Sequence, residues 1–504
     1  MSISARSATL FLALSLPALA EDPLSAIDWL SDSITEPYAA AEPPVASAVE
    51  SGTITTTKLD GPQPDAVGLL PSSVTGLPRQ LWGPGDPVEI ARLIRAETVD
   101  TLPSAQGLLR TILLAEADPP VGAVTGGELL EARVDKLLDL GLVEEASALL
   151  ERSGAVSPEL FRRAFDVSLL LGEEDGACAE MRERPDVAPT FPARIFCLAR
   201  GGDWPAAALT LGTTRALGQI TPDEEALLSR FLDPDLYEGE DPLQPPARPS
   251  PLVYRMHEAV GEPLPSNALP RAFAHADLRS TSGWKAQLDA AERLARTGAL
   301  DPNRLFGLYT ERRPAASGGV WERAEAVQAL DRALESGDAD AVSAAIGPAW
   351  DEMQAAGLLP ALAAFFGQRL SDVELTGEAS AKAFKLALLT DRYEEAAAAR
   401  QSQSAEEDLL IAIARGLPLP RVQGPTRLAL VGLSQGALPP AEVATLINRG
   451  RLGEALLVAL KDLATGITGD PRKMSGALAV LRTVGLESAA RRAALEYLIL
   501  TESA

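Results

Sequence analysis

Along residues 197–211, CLARGGDWPAAALTL, apolar positions recur at helical spacing, stop at two glycines and an aspartate, and resume at once on alanines. The same break recurs in GLVEEASALL (141–150), GEEDGACAEM (172–181), GDWPAAALTL (202–211), DRYEEAAAAR (391–400), GRLGEALLVA (450–459) and GLESAARRAA (485–494). Each opens on Gly or Asp and carries an alanine five residues later, at Ala146, Ala177, Ala207, Ala396, Ala455 and Ala490. Glycine accepts the left-handed conformation that closes a helix. Acids or a proline in the following turn suit a helix start, and a small alanine lets the new helix lie against the old one. The pattern predicts antiparallel helical hairpins and an all-α fold.

GDWPAA and DRYEEA resemble the turn and second-helix start of the tetratricopeptide repeat. Breaks at Gly141, Gly172 and Gly202, and at Gly450 and Gly485, are 31, 30 and 35 residues apart, against about 34 in that family. The resemblance covers the second helix of some six units. GDADAV (337–342) fits it loosely, with Val342 at the alanine position. It implies an α-solenoid whose concave face binds peptides or proteins.

Where the period fails, the chain divides. From Glu21 to about Gly85 the sequence is rich in Pro, Ser, Thr and Ala without a sustained period, and reads as a largely extended tether. Within it DPLSAIDWLSDSI places Leu24, Ile27 and Leu30 near one helical face with Trp29 beside them, a short amphipathic helix suited to docking on the body or in a partner's groove. A second break, DPDLYEGEDPLQPPARPSP at 233–251, reads as a solvated linker, since it lacks the glycine and glutamate positions of a calcium-binding EF-hand loop. The expected order is a leader over 1–20, the tether over 21–85, a helical-repeat block over 86–232, a linker over 233–252 and a second repeat block over 253–504.

The first twenty residues, MSISARSATLFLALSLPALA, combine one arginine, an apolar run and small residues at Ala18 and Ala20, the form of a cleaved secretory leader. The chain is therefore expected to be exported and, in a Gram-negative cell, periplasmic. Beyond the leader no apolar run reaches the roughly 18 residues a membrane span requires. Forty-five Lys and Arg against 70 Asp and Glu give a formal charge of −25, which speaks against nucleic acid as a partner. Only 5% of residues are aromatic, so the cores are expected to be built from Ala and Leu.

Candidate chemistry changes this picture little. Gly432, Ser434 and Gly436 match the G-x-S-x-G elbow of α/β-hydrolases, but the two histidines, His257 and His275, both precede the serine and the required chain order is absent. No metal-ligand spacing and no phosphate-binding glycine loop is present, so no cofactor is expected, and no pair of carboxylates is singled out for glycosidase chemistry. Cys178 and Cys197 lie equidistant from the connector RPDVAPT (184–190), so in an antiparallel hairpin they face each other and are expected to form a disulfide. LFGLYTERRPAASGGVWERAE (305–325), with Trp284 upstream, gathers Tyr309, Arg312, Arg313 and Trp321 into an aromatic and basic stretch on an acidic chain. These are residue types that dominate binding surfaces, and the alternative is that the rings fill the core between two helices. The whole reads as an exported scaffold for a protein or peptide partner in the cell envelope. The other reading is a peptidoglycan-associated relative of the superhelical body of soluble lytic transglycosylases, without their catalytic module.

Overall fold

The computed structural model describes residues 63–121, 127–154 and 157–501. The expected leader and the Leu24, Ile27, Trp29 and Leu30 helix lie outside them. The described residues form 25 α-helices and five short 3-10 helices, with no β-strand among them beyond an isolated bridge between Leu70 and Ala115. None of these helices is long and apolar enough to cross a membrane.

The breaks do close helices. Gly141, Gly172, Gly202, Gly450 and Gly485 all take positive φ, between 74° and 86°, a conformation that costs glycine little and other residues much. Gly337, in the loosely fitting stretch, does the same at 68°. Ala146, Ala207, Ala455 and Ala490 are fully buried, as is Val342. In the other two units the register slips by one: Ala177 and Ala396 are half-buried, and Cys178 and Ala397 take the buried position. Consecutive helices pack on one another through 128–216, 320–399 and 452–501.

The core is not divided at residues 233–252. One large apolar cluster joins residues 67–160 to residues 254–499, and a smaller cluster holds Phe161 to Met256. Helix Pro158–Leu171 belongs to both: Leu160, Val167 and Leu170 face the large core, while Phe161, Phe165 and Leu169 face the small one. The partition into blocks before and after the linker is thus replaced by a main body and a side lobe of residues 161–256. Apolar periodicity marks that an element has a buried face but not which distant element covers it.

The main body brings early and late described segments together. Helix Pro103–Leu114 packs on the last described helix, Glu487–Thr501, where the Glu496 carboxylate accepts from the Ser104 amide (2.8 Å) and hydroxyl (2.6 Å). The Gly453 amide donates to Leu81 O (2.7 Å), with Trp82 buried against Gly453.

Residues 63–85, expected as tether, are therefore part of the body. Asp65 accepts from the Leu130 amide (2.8 Å), and Val67, Leu77, Leu81 and Trp82 are buried. Arg133, itself 1% exposed, donates to Val67 O (2.7 Å), Leu113 O (2.7 Å) and Ala115 O (3.1 Å). An arginine in a helix core reads as a surface position in sequence. Here its guanidinium satisfies the Val67 carbonyl, in a segment without regular structure, and the Leu113 and Ala115 carbonyls at the end of helix Pro103–Leu114.

Candidate functional site

The expected disulfide is present. Cys178 on helix Asp175–Glu183 and Cys197 on helix Phe191–Arg200 are bonded with their Cα atoms 4.9 Å apart, across the 3-10 turn Pro185–Val187. Both are buried in the side lobe. A link closing a loop of this length contributes about 3 kcal/mol, which matters in a lobe whose core is small.

Next to the disulfide hairpin the lobe carries a cleft of about 320 Å³, at the small end of the range of ligand pockets. Helix Pro158–Leu171 lends it Arg162, Phe165 and Asp166, residues three and four apart and so on one face. The first turns of three further helices open onto it. Thr190 caps Phe191–Arg200, Thr221 caps Pro222–Leu232 and Ser250 caps Pro251–Ala259, each hydroxyl accepting from the amide three residues on. A proline sits in the first two positions of all three helices, where its fixed φ suits a helix start. Three helix N-termini place partial positive charge at the cleft, beside the cations Arg162 and Arg248.

The remaining wall is the segment expected as a free linker. Leu243, Gln244, Pro246 and Arg248 line the cleft, and the strap is latched at its start. Arg230 donates to Asp241 O (2.6 Å) and to Glu262 Oε1 (2.7 Å), while Glu262 Oε2 accepts from the Leu243 amide (2.9 Å). Proline-rich composition marked the absence of helix correctly. It carried no signal of where the segment would be held.

Burial shifts three of the groups facing this space. It pushes the Asp166 carboxyl up to about 7, against the pull of Arg162 and Arg163, and it lowers the Arg162 guanidinium despite Asp166 nearby. His257 is 3% exposed, and burial lowers its pKa against the Glu262 carboxylate and backbone, so the ring is neutral at pH 7. Its Nδ1 is buried without a hydrogen-bond partner among the described residues. Near neutrality the cleft thus offers the Asp166 carboxyl, which holds or releases a proton, a neutral imidazole, two guanidinium groups and the acidic side chains of Asp223 and Glu224, over an apolar floor of Phe165, Leu227 and Leu252. That combination suits binding of a polar segment with an apolar face. Sequence reasoning missed Arg162, Asp166 and His257. The available signal was a charged pair at i, i+4 on a helix with apolar residues on both sides.

The stretch singled out for binding divides into core and surface. Tyr309 is fully buried, its hydroxyl donating to Glu292 Oε1 (2.7 Å). Trp284 is buried with its indole N–H on Leu308 O (2.9 Å), and Trp321 is half-buried against it, ring centroids 5.1 Å apart. Phe306 stacks on Phe365 at 4.5 Å. Arg323 forks onto Glu292 through two bonds of 2.7 Å. Only Arg312 and Arg313 of the candidate set are exposed, Arg312 beside Glu311. The rings therefore do not form a surface with the two arginines, because three helices need them as core in a chain otherwise short of large side chains.

Ser434 lies just beyond the 3-10 turn Val431–Leu433, with its carbonyl accepting from Arg482 (2.6 Å). Gly432 is there for contact: a Cβ on it would fall 2.0 Å from Ser475 O. His275 Nε2 is bonded to Gly141 O (2.7 Å) and lines a different cavity from the His257 cleft. The chain matches no protein-family model, no curated protein and no solved structure.

Proposed function

We propose that this is an exported helical-repeat protein that acts as a binding scaffold in the cell envelope, with the side-lobe cleft as its receptor for a peptide segment of a partner. The observation that carries this reading is the lobe itself. A buried disulfide stiffens a small core whose cleft keeps a neutral histidine nitrogen without a partner and is walled by a latched proline-rich strap. A disulfide belongs to an oxidising compartment, which agrees with the secretory form of the first twenty residues. The repeat-like turns support a scaffold role through their resemblance to tetratricopeptide repeats.

The test is osmotic-shock fractionation of the native host combined with a photo-crosslinking residue at the exposed Gln244 on the cleft wall, and at the exposed Glu335 on helix Val320–Ser336 as control. The expected result is protein in the periplasmic fraction and one discrete protein adduct from position 244 alone. Cytoplasmic protein, or identical products from both positions, overturns the proposal. A position-244 adduct that muramidase digestion converts to short products moves the assignment to the peptidoglycan-associated reading.

A further inference from the structure

A second cavity, of about 460 Å³, lies where the first helices meet the middle of the chain. Its walls come from the end of helix Pro87–Ala96 and the residues after it, from helix Glu128–Leu140, and from the segment around the 3-10 turn Arg271–Phe273 with helix Trp284–Ala295 behind it. Four cations line it, Arg95, Lys136, Arg271 and Arg293, in a protein whose formal charge is −25.

Their partners are unequal. Lys136 is paired with Asp139 (2.8 Å), and Arg95 reaches Asp135 (3.5 Å). Arg293 is positioned by backbone carbonyls, those of Ser266 (2.8 Å) and Leu269. Carbonyls fix a guanidinium in place without cancelling its charge. Arg271 donates to Asp139 O (3.2 Å) and to Asp100 (2.9 Å), a rim carboxylate with 76% of its side chain exposed. Its Nε–H remains buried with no acceptor among the described residues. Both guanidinium groups line the same cavity, and burial together with the like charge of Arg271 lowers Arg293, to about 10. Glu97 does not offset them at neutral pH, because burial pushes its carboxyl up to about 8.

Like charges fixed together with a donor left over are costly unless an anion completes them. We propose that this cavity binds a small doubly charged oxyanion, a phosphate group or a dicarboxylate, which accepts from Arg271 and Arg293. Planar guanidinium groups suit either anion by paired N–H bonds. The site lies in the main body and does not depend on the reading of the side-lobe cleft.

The test uses the full chain in a low-salt buffer free of multivalent anions, titrated with inorganic phosphate, with malonate, and with chloride at matched ionic strength, by calorimetry and thermal melting. A saturable rise in melting temperature with phosphate or malonate, absent with chloride, is expected, since a ligand bound only to the folded state stabilises it. Phosphate alone would assign a phosphate-bearing ligand, malonate alone a dicarboxylate. Arg271→Gln should weaken binding about tenfold, the loss of one charge-assisted bond. Asp100→Asn, on the exposed rim, should leave the fold intact and tighten binding several-fold by releasing Arg271, and it decides the matter if Arg271→Gln fails to fold. Equal responses to chloride and the divalent anions, or affinity unchanged in Asp100→Asn, overturn the proposal.

Discussion

Glu292 shows how one residue settles the role of a whole stretch. It is 2% exposed, takes both nitrogens of the Arg323 fork, accepts from the Tyr309 hydroxyl and lies 3.4 Å from Arg296. Burial and the adjacent carboxylate push the Tyr309 hydroxyl well above its ordinary range, so it stays a donor. Removing one partner of a buried charged network leaves the others unsatisfied, at a cost of about 3 kcal/mol or more. Glu292→Ala should therefore lower stability by roughly that amount in urea unfolding. Arg312→Glu together with Arg313→Glu, both exposed, should shift it by less than about 0.5 kcal/mol. A large loss in the arginine pair, with none at Glu292, would reverse the division into core and surface. The residue types at 305–325 were visible in the sequence. What decided between core and surface was the Glu292 carboxylate on another helix, and no local pattern reports that.

At the scale of elements, the glycines of one short motif do different work. In GRLGEALL, Gly450 closes a helix with φ of 74°, as its spacing predicts. Gly453 lies inside the first turn of helix Leu452–Ile467, where a Cβ would fall 2.4 Å from the Trp82 ring. Gly453→Ala should cost about 1–3 kcal/mol by overpacking and loosen the Leu81–Trp82 dock, seen as faster amide exchange at Gly453. Gly107, on the exposed side of helix Pro103–Leu114 with nothing within 4 Å of its Cβ position, makes the contrast. Gly107→Ala should stabilise by about 0.5–1 kcal/mol through helix propensity. If both substitutions are neutral, the close approach is not as described. Turn glycines were legible because they act within a few residues. Gly453, Gly432 and Arg133 were not, because each answers to a segment far away in sequence. The strap at 238–250 is an intermediate case: its lack of helix was local and legible, its latch by Arg230 and Glu262 was not.

The whole molecule concentrates carboxyl groups whose protons are held by burial. Glu97 is pushed up to about 8, and Asp166 and Glu496 to about 7. Each keeps its proton in the folded state at pH values where the unfolded chain has lost it, so the folded state binds more protons and stability falls as pH rises from about 4.5 to 8. His257 and His275 are lowered by burial. Their contribution is present above their ordinary pKa of about 6.5 and is lost as pH falls through the lowered values. The two trends predict a melting temperature that is higher at pH 6 than at pH 8.5 and declines again in acid. Glu496→Gln should flatten the alkaline side, and a melting temperature that climbs steadily from pH 6 to 8.5 would contradict the assignment.

The bond between Ser104 and Glu496 spans 392 positions. A repeat array held only by neighbours can assemble unit by unit from any point. Here helix Pro103–Leu114 completes its cover only when Glu487–Thr501 is in place, so loop-closure entropy must be met before the largest core is complete. Such a chain behaves as a clasp rather than a stack. The Pro103–Leu114 face that meets Glu487–Thr501, and the Leu81–Trp82 dock that meets Gly453, stay uncovered until those later residues are in place. Shortening it by the single helix Glu487–Thr501 should unsettle its beginning more than its middle.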